Sequence, residues 1–400
     1  MVVDKIFPTD ERVEYEARSL AQDGHQVSIF SYSHPGKDTQ EDLGYAKVVR
    51  LPVNRFFAKK FKQITPILPV FSMLWRKPLS RILKSQSIDI FHAHDLYMVP
   101  VCLFLREKMG ARIPIIADLH ENYPAALDVY DFANTFPGSI VIDKSSWKKK
   151  ELEWLRKTKK IIVVIEESKQ YYIQRGIPSH KIHIVPNYVN LQRFHLPQEK
   201  LQTSRTDNLS TRETTNFLYI GAINYHRGLQ EIINALAQPK LKGLKLKLWI
   251  VGDGSYLDHL QFLTNELHLE NVYFFGRKPH TELPKYIQDS DICLIPHIKS
   301  LHTDTTIPHK LTQYMAFKKP VLASNCTPIK RIIQQVKSGY TYKSGDIEHL
   351  VNQILLLISK RQEWPVMGKR AYDAVQNSFN WGVSSTNLTE MYKTISHNYE

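Results

Sequence analysis

Cysteine is scarce in this 400-residue sequence: Cys102, Cys293 and Cys326 stand far apart and follow no metal-ligand or redox spacing. That argues against a disulfide framework or a thiolate metal site and fits a reducing compartment. Long apolar runs are missing too. The most membrane-like stretch, Ile64 to Trp75, has twelve residues and is broken by Pro66 and Pro69, well short of the roughly 20 that a spanning helix needs. No apolar run follows a basic start, so no signal peptide is expected, and the expected location is cytoplasmic. Acidic residues are absent from Leu43 through Ile88, where ten Lys and Arg fall. The formal net charge of +14 predicts an anionic partner, either nucleotide, nucleic acid or lipid head groups. A nucleic-acid binder would explain the charge alone, but no RNA- or DNA-binding module is recognisable, so nucleic acid is not an expected partner.

What is present is an ordinary globular composition, 42% hydrophobic and 23% charged, in a chain long enough for two domains. Strand signals come at Met1–Phe7, Gln26–Ser31, Ala46–Leu51, Ile88–His92, Pro114–Asp118 and Ile161–Ile165, with room for helices between them. A helix is expected from Glu11, with Val13, Ala17, Leu20 and Ala21 on its apolar face and Gly24 beyond its end. The stretch 195–215 turns polar and loses periodicity. A second series follows at Phe217–Ile220, Leu246–Val251, Val272–Phe274, Ile292–Ile295, Pro320–Ala323 and Tyr340–Tyr342. This rhythm predicts an α/β chain of two Rossmann-like doubly wound domains, with ligands at the carboxyl ends of the strands, facing a cleft. The expected organisation is residues 1–194 as the first domain, 195–215 as linker and 216–375 as the second domain. A helical segment, 376–400, is expected to return to the first domain.

Several strand ends carry polar chemistry. Gly221 lets a ligand approach the backbone after the first strand of the second series, and Arg227 can fork onto a diphosphate. Gly252 and Gly254 make a second nucleotide-facing turn, but the dinucleotide fingerprint fails at Leu257, so a nicotinamide cofactor is not expected. Thr305 and Thr306 before Pro308 predict a helix start, where free N–H groups and Lys310 one turn in suit an anion. On that helix Leu311, Tyr314 and Met315 share the core face, and Lys310, Gln313 and Phe317 another. In the first half, His92-Ala93-His94-Asp95 and Asp118-Leu119-His120-Glu121 put histidine and carboxylate at two strand ends. Such groups can bind a hydroxyl or move a proton.

These motifs, with Phe7-Pro8-Thr9-Asp10-Glu11-Arg12-Val13, Gly24-His25-Gln26-Val27, Val185-Pro186-Asn187-Tyr188-Val189, Val251-Gly252-Asp253-Gly254 and Pro308-His309-Lys310-Leu311, resemble in order and spacing the GT-B glycosyltransferases of family 4. The resemblance covers nearly the whole chain and implies a retaining enzyme that uses a nucleotide-sugar donor. It implies donor contacts at Gly221, Arg227, Gly252, Gly254, Thr305, Thr306, Lys310 and Gln313, and acceptor-side residues at Asp10, Arg12, His94, Asp95 and Glu121. Arg227 and Lys310 would stabilise the departing diphosphate in place of a metal, and His120 would hold the transferring sugar. No cofactor is expected, since the nucleotide sugar is a substrate, and no metal. The metal-associated D-x-D form does occur at Asp289-Ser290-Asp291, but at a helix-to-strand junction where Asp291 is more simply a boundary residue.

The sequence also departs from the family. Where members usually carry an arginine and, five residues on, a lysine, it has Ala222 and Arg227. The usual glutamate pair falls on Thr305 and Gln313. A weakened member that binds nucleotide and assists a partner is therefore one alternative, and a GT-B sugar-nucleotide epimerase another. The acid-free basic stretch, interleaved with Phe56, Phe57, Phe61, Phe71 and Trp75, and a second cluster at Lys144, Lys148, Lys149 and Lys150 with Trp147, suit an anionic membrane surface. The expected acceptor is a glycan or a lipid-linked acceptor, met peripherally on the cytoplasmic face of the membrane.

Overall fold

The computed structural model describes residues 1–34, 36–85, 87–110, 112–194 and 214–396. The stretch 195–215, expected as a linker, lies outside these residues apart from Thr214 and Thr215. The chain divides into two compact units, Met1–Asn187 with the last helix from Ser384, and Tyr188–Val383.

In the first unit the strands are β1 (Ser28–Tyr32), β2 (Gln40–Asp42), β3 (Lys47–Leu51), β4 (Phe91–His94), β5 (Ile115–Leu119), β6 (Lys160–Val163) and β7 (Ile182–Ile184). They pair in the orders β1-β3-β2 and β4-β5-β6-β7. Instead of a first strand over Met1–Phe7, single bridges from Val2 to Phe30 and to Ala93 join the two halves. The sequence pattern missed β2, which is antiparallel to β3, and the short strand β7. The central strands β4 and β5 are buried along their whole length, as expected of parallel strands covered on both faces.

Helix α1 (Glu11–Gln22) starts where Asp10 accepts a hydrogen bond from the Val13 N–H, a side-chain cap of the usual kind. Val13, Ala17 and Leu20 bury its apolar face, but Arg12 and Glu16 are buried as well. Helix α2 (Arg55–Lys62) and helix α3 (Val70–Ile82) pack together on this unit, and α4 (Val99–Met109) leads from β4 back to β5. The last helix, Trp381–Ser396, returns Tyr392 and Asn387 to the first unit, where they meet His92 and the Ile184 carbonyl.

The second unit is a six-stranded parallel sheet in the order β10-β9-β8-β11-β12-β13. Its strands are β8 (Thr215–Ile220), β9 (Leu246–Val251), β10 (Val272–Phe274), β11 (Ile292–Ile295), β12 (Val321–Ser324) and β13 (Gly339–Tyr342). Their buried Leu and Ile side chains pack with Ile232, Leu350 and Ile354 of the covering helices into one core. Strand order turns back between β8 and β11 in this unit, and between the Val2 bridge and β4 in the other. Crevices at the carboxyl ends beside such reversals are where open α/β sheets hold ligands.

Candidate active site

In the first unit the carboxyl ends of β4 and β5 bring together Arg12, Glu16, His92, His94, Asp95, Asp118 and His120. Asp118 is fully buried and is the hub. Arg12 forks onto it, with Nε 3.2 Å from Oδ2 and Nη2 2.8 Å from Oδ1, while Nη1 donates to the Val185 carbonyl at 2.9 Å. Glu16 Oε1 lies 2.9 Å from Arg12 Nη2. His94 Nδ1 is 3.1 Å and His120 Nε2 2.9 Å from Asp118 Oδ2. His92 stacks on His94 at 4.4 Å between ring centres, and its Nδ1 is 2.7 Å from the Tyr392 hydroxyl.

The network sorts its members by charge. Burial and the neighbouring Asp118 push Glu16 up to about 8 despite Arg12. Burial raises Asp118 too, but Arg12 and His120 more than reverse it and hold it well below the usual carboxylate range. Burial and the adjacent His92 keep His94 neutral. For His120 burial works downward, yet Asp95 and Asp118 outweigh it and lift the imidazolium to about 9. His120 is thus a cation at neutral pH, 15% exposed at its side chain, suited to donating a hydrogen bond rather than accepting a proton.

Asp95 sits beyond β4 at φ 70°, ψ 152°, a strained conformation for a non-glycine residue. Its N–H is held by the Asp118 carbonyl and its Oδ2 accepts from the Tyr97 hydroxyl at 2.7 Å. Asp10, besides capping α1, pairs with Lys5, and burial that would raise it is overcome by His120 and Lys5. Glu121 is half-buried and accepts from the Tyr130 hydroxyl at 2.5 Å. Of the acceptor-side residues expected from the sequence, Arg12 at 4% and His94 at 1% exposure are interior and are engaged with Asp118. Glu16 and Tyr392 were not anticipated, and His92, although part of the strand-end motif, was not among the expected site residues. Glu16 stands one turn from Arg12 and was legible as an i,i+4 pair; nothing local announces Tyr392.

Glu16, His92, His94 and Asp118 also bring potential metal-ligand atoms within 4.8 Å of one another. Both Asp118 oxygens already accept from Arg12, so a metal ion would have to displace or abut a guanidinium. The donor set fits a charge network better than a cation site. Asp291 acts structurally, since its Oδ2 accepts from the Asn216 N–H at 2.8 Å and so ties β8 to the start of β11.

The second unit collects cations at the ends of β8 and β11. Lys310 Nζ stands 4.0 Å from the Tyr219 ring centre, directly over Gly221. A Cβ at Gly221 would come within 2.7 Å of that ammonium, and φ there is +138°. Arg227 Nη1 is 3.2 Å from His297 Nε2. Burial, then Arg227, draws Lys310 well below its ordinary value, and burial, Arg227 and Lys310 do the same to His297. Burial with nearby cations lowers His226 to about 3, and burial with Arg227 lowers His302 to about 4. In each of these groups burial is the larger cause, the charges of neighbouring basic groups add to it, and no carboxylate is among the causes, so the histidines stand neutral beside Arg227 and Lys310.

Gly252 and Gly254 are packed against backbone. A Cβ would lie 1.9 Å from the Gly221 carbonyl oxygen at Gly252, and 2.2 Å from that of Ile223 at Gly254. The expected helix begins at His309, behind Pro308, and no threonine caps it. The reason is that Ser300 and Thr303 form a capping box for a separate turn, Leu301–Asp304, and the Thr305 hydroxyl donates back to the Leu301 carbonyl at 2.6 Å. Thr306 is half-buried beside it. Leu311, Tyr314 and Met315 form the core face as expected, while Gln313 is only 7% exposed.

The family model described as Glycosyltransferase Family 4 matches residues 11–193, and that described as Glycosyl transferases group 1 matches 202–374. The chain belongs to the GT-B glycosyltransferases, family 4-like. Among curated relatives of this family it is 26% identical over 219 residues to the putative colanic acid biosynthesis glycosyltransferase WcaL of Escherichia coli. That match takes in 51% of this chain and about half of the relative, 54%. It is 23% identical to the alpha-monoglucosyldiacylglycerol synthase of Streptococcus pneumoniae, over 86% of this chain and 74% of that one. In fold it is similar to the sucrose-phosphate synthase of Thermosynechococcus elongatus, with a TM-score of 0.77 at 17% identity, covering 97% and 93% of the two chains.

Proposed function

We propose that this protein transfers a glycosyl residue from a nucleotide-sugar donor to a glycan or lipid-linked acceptor, with retention of configuration, in the synthesis of a surface polysaccharide or glycoconjugate. The observation that carries the reading is Lys310 over Gly221, with the Arg227 charge acting on it, at the reversal point of a doubly wound sheet. A nucleoside diphosphate is the ligand that such a place suits: its charge would restore the depressed Lys310 ammonium and be stabilised by it as the leaving group departs. These two cations neutralise the leaving group, so transfer proceeds without a bound metal. In the first unit the cationic His120 donates to a hydroxyl of the transferring sugar. The names of the relatives support the acceptor class, one being a putative colanic acid biosynthesis glycosyltransferase and another an alpha-monoglucosyldiacylglycerol synthase.

A thermal-shift panel of UDP, GDP, ADP and CMP sugars tests the donor site, because a ligand that binds the folded state stabilises by RT ln(1 + [L]/Kd). One class should raise Tm. Arg227→Ala and Lys310→Ala should each lose that shift and lower kcat by roughly 10²–10³, with turnover surviving EDTA. Near-wild-type turnover in both variants would remove the clamp, and full dependence on added divalent metal would remove metal independence. Ala222 and the inward-turned hydroxyl of Thr305 favour a second reading, a member that binds the nucleotide without turning it over. Binding without donor consumption would select it.

A further inference from the structure

Helix α3 has two unlike faces. Phe71, Trp75 and Leu79, four residues apart, are wholly buried in the core of the first unit. Away from them Met73, Arg76, Lys77, Ser80, Arg81 and Lys84 recur at the i, i+3, i+4 spacing of a single helical stripe that runs into the turn after α3. Phe104 and Lys108, one turn apart on α4, complete the lining of a cavity of about 430 Å³. Five of its eight lining residues are cations and none is a carboxylate. Among the described residues no salt bridge ties any of the five.

Two buried atoms mark the cavity as built rather than incidental. The Arg76 guanidinium lies over the Phe104 ring, 4.3 Å from its centre, and Arg76 Nε and Ser80 Oγ are buried without hydrogen-bond partners. Buried donors left in that state are uncommon and costly. Cations in the last turns of helices do offset the helix dipole, and that accounts for Arg81, Lys84 and Lys108. It does not account for Arg76 and Lys77 in mid-helix, for the convergence of all five on one cavity, or for the unpartnered Nε.

The cavity stands apart from the candidate active site. Lys84 lies just before β4 begins, and α4 runs from the carboxyl end of β4 back toward the amino end of β5, carrying Lys108 with it. These side chains therefore belong to the amino-end edge of the sheet, whereas His94, Asp95 and His120 follow the carboxyl ends.

We propose that this cavity is an anion-binding site of the first unit, taking a phosphate group gripped by Arg76, Lys77, Arg81, Lys84 and Lys108. Planar guanidinium groups can grip phosphate oxygens in pairs, and lysines add charge from the rim. The phosphate comes either from a soluble phosphate compound or from the head group of an anionic lipid. Met73, 58% exposed at the mouth, is placed to meet an acyl chain in the second case.

Hydrogen exchange read over 73–84 and 104–108 tests the site with two probes, inorganic phosphate and vesicles of phosphatidylglycerol in phosphatidylcholine. The comparison protein is Arg81→Glu with Lys84→Glu, both exposed positions, its folding checked by an unchanged Tm. Protection of both segments by inorganic phosphate, with half-saturation at least about tenfold weaker in the variant, supports the site and assigns a soluble source. Protection only by the anionic vesicles, lost in the variant and absent with pure phosphatidylcholine, supports it and assigns a lipid head group. No protection by either probe, or equal protection of wild type and variant, overturns it.

Discussion

At the scale of single residues His120 is the informative one, because its charge is set by two carboxylates rather than by solvent. With the imidazolium lifted to about 9 by Asp95 and Asp118 against burial, transfer should hold up through neutral pH and fall as pH rises through that value. His120→Ala should lower kcat by roughly 10² or more and leave nucleoside diphosphate affinity nearly unchanged, since the cations for that ligand lie in the other unit. A large loss of affinity with normal turnover at saturation would contradict this role. The same shift acts on stability. A histidine whose folded value is raised from 6.5 to about 9 stabilises fully below 6.5 and loses that contribution as pH climbs to 9. Glu16, raised from 4.5 to about 8, also makes stability fall with rising pH across its own window. Lys310 and the Met1 amine, both lowered by burial, push stability the other way over part of this range. The test is therefore a difference: between pH 6.5 and 9 the urea midpoint of the wild type should fall relative to that of His120→Gln, and parallel profiles would count against it. Arg12 is the structural counterpart. Replacing it by Met strips Asp118 of a bidentate partner in a fully buried place and should cost about 3–5 kcal/mol, read as a lower urea midpoint with unchanged m-value.

At the scale of elements, the turns after β8 and β9 decide how close a ligand comes. Gly221→Ala puts a Cβ against the Lys310 ammonium, a movable side-chain end, whereas Gly252→Ala drives one into the Gly221 backbone. Both positions have positive φ, which alone strains an alanine by roughly 1–3 kcal/mol. Gly252→Ala should therefore lower Tm more, and Gly221→Ala should weaken nucleotide binding more than it lowers Tm. The reverse ordering would show that Lys310 does not lie over the ligand. The strands that bear these turns were legible because each is a short apolar run ended by Gly or Pro; β9, β10 and β11 lie where the pattern put them. Strand β2 was not, because Gln40-Glu41-Asp42 is an exposed edge with no apolar signature. Nor was the start of the Lys310 helix, where Ser300 competes as a cap for the turn before it. The site residues on strand ends followed from the βαβ rhythm, but the Tyr392–His92 bond joins positions 300 apart, and no local pattern carries that.

At the scale of the whole molecule, the basic and aromatic stretch splits on folding into interior and surface. Phe71, Trp75 and Trp147 are buried core residues, Arg50 is buried against Glu41, and Lys62 pairs with Asp4 at 2.9 Å. These are withdrawn from the membrane-facing set expected of them. What remains outside is Phe56 at 63% and Phe57 at 47% exposure, beside exposed Lys59 and Lys60 on α2. Phe136 at 81%, Ile140 at 76% and Val141 at 50% also stand out. The helix that follows them, Lys144–Arg156, is tied to the end of α2 by the Trp147 Nε1 bond to the Gln63 carbonyl, 2.7 Å long. Two outward apolar groups flanked by cations on one unit suit an anionic bilayer surface, where each Lys or Arg contributes roughly 1 kcal/mol and rings enter the interface. Sedimentation with vesicles should show binding that requires anionic lipid and weakens as salt rises. Lys59→Glu with Lys60→Glu should remove most of it, and Phe56→Ser with Phe57→Ser should weaken it without altering the salt slope, since no charge changes. Competition separates this contact from the phosphate cavity, because millimolar inorganic phosphate would occupy the cavity without covering α2. Equal binding to neutral and anionic vesicles, or none to either, would leave the acceptor to be met away from any membrane.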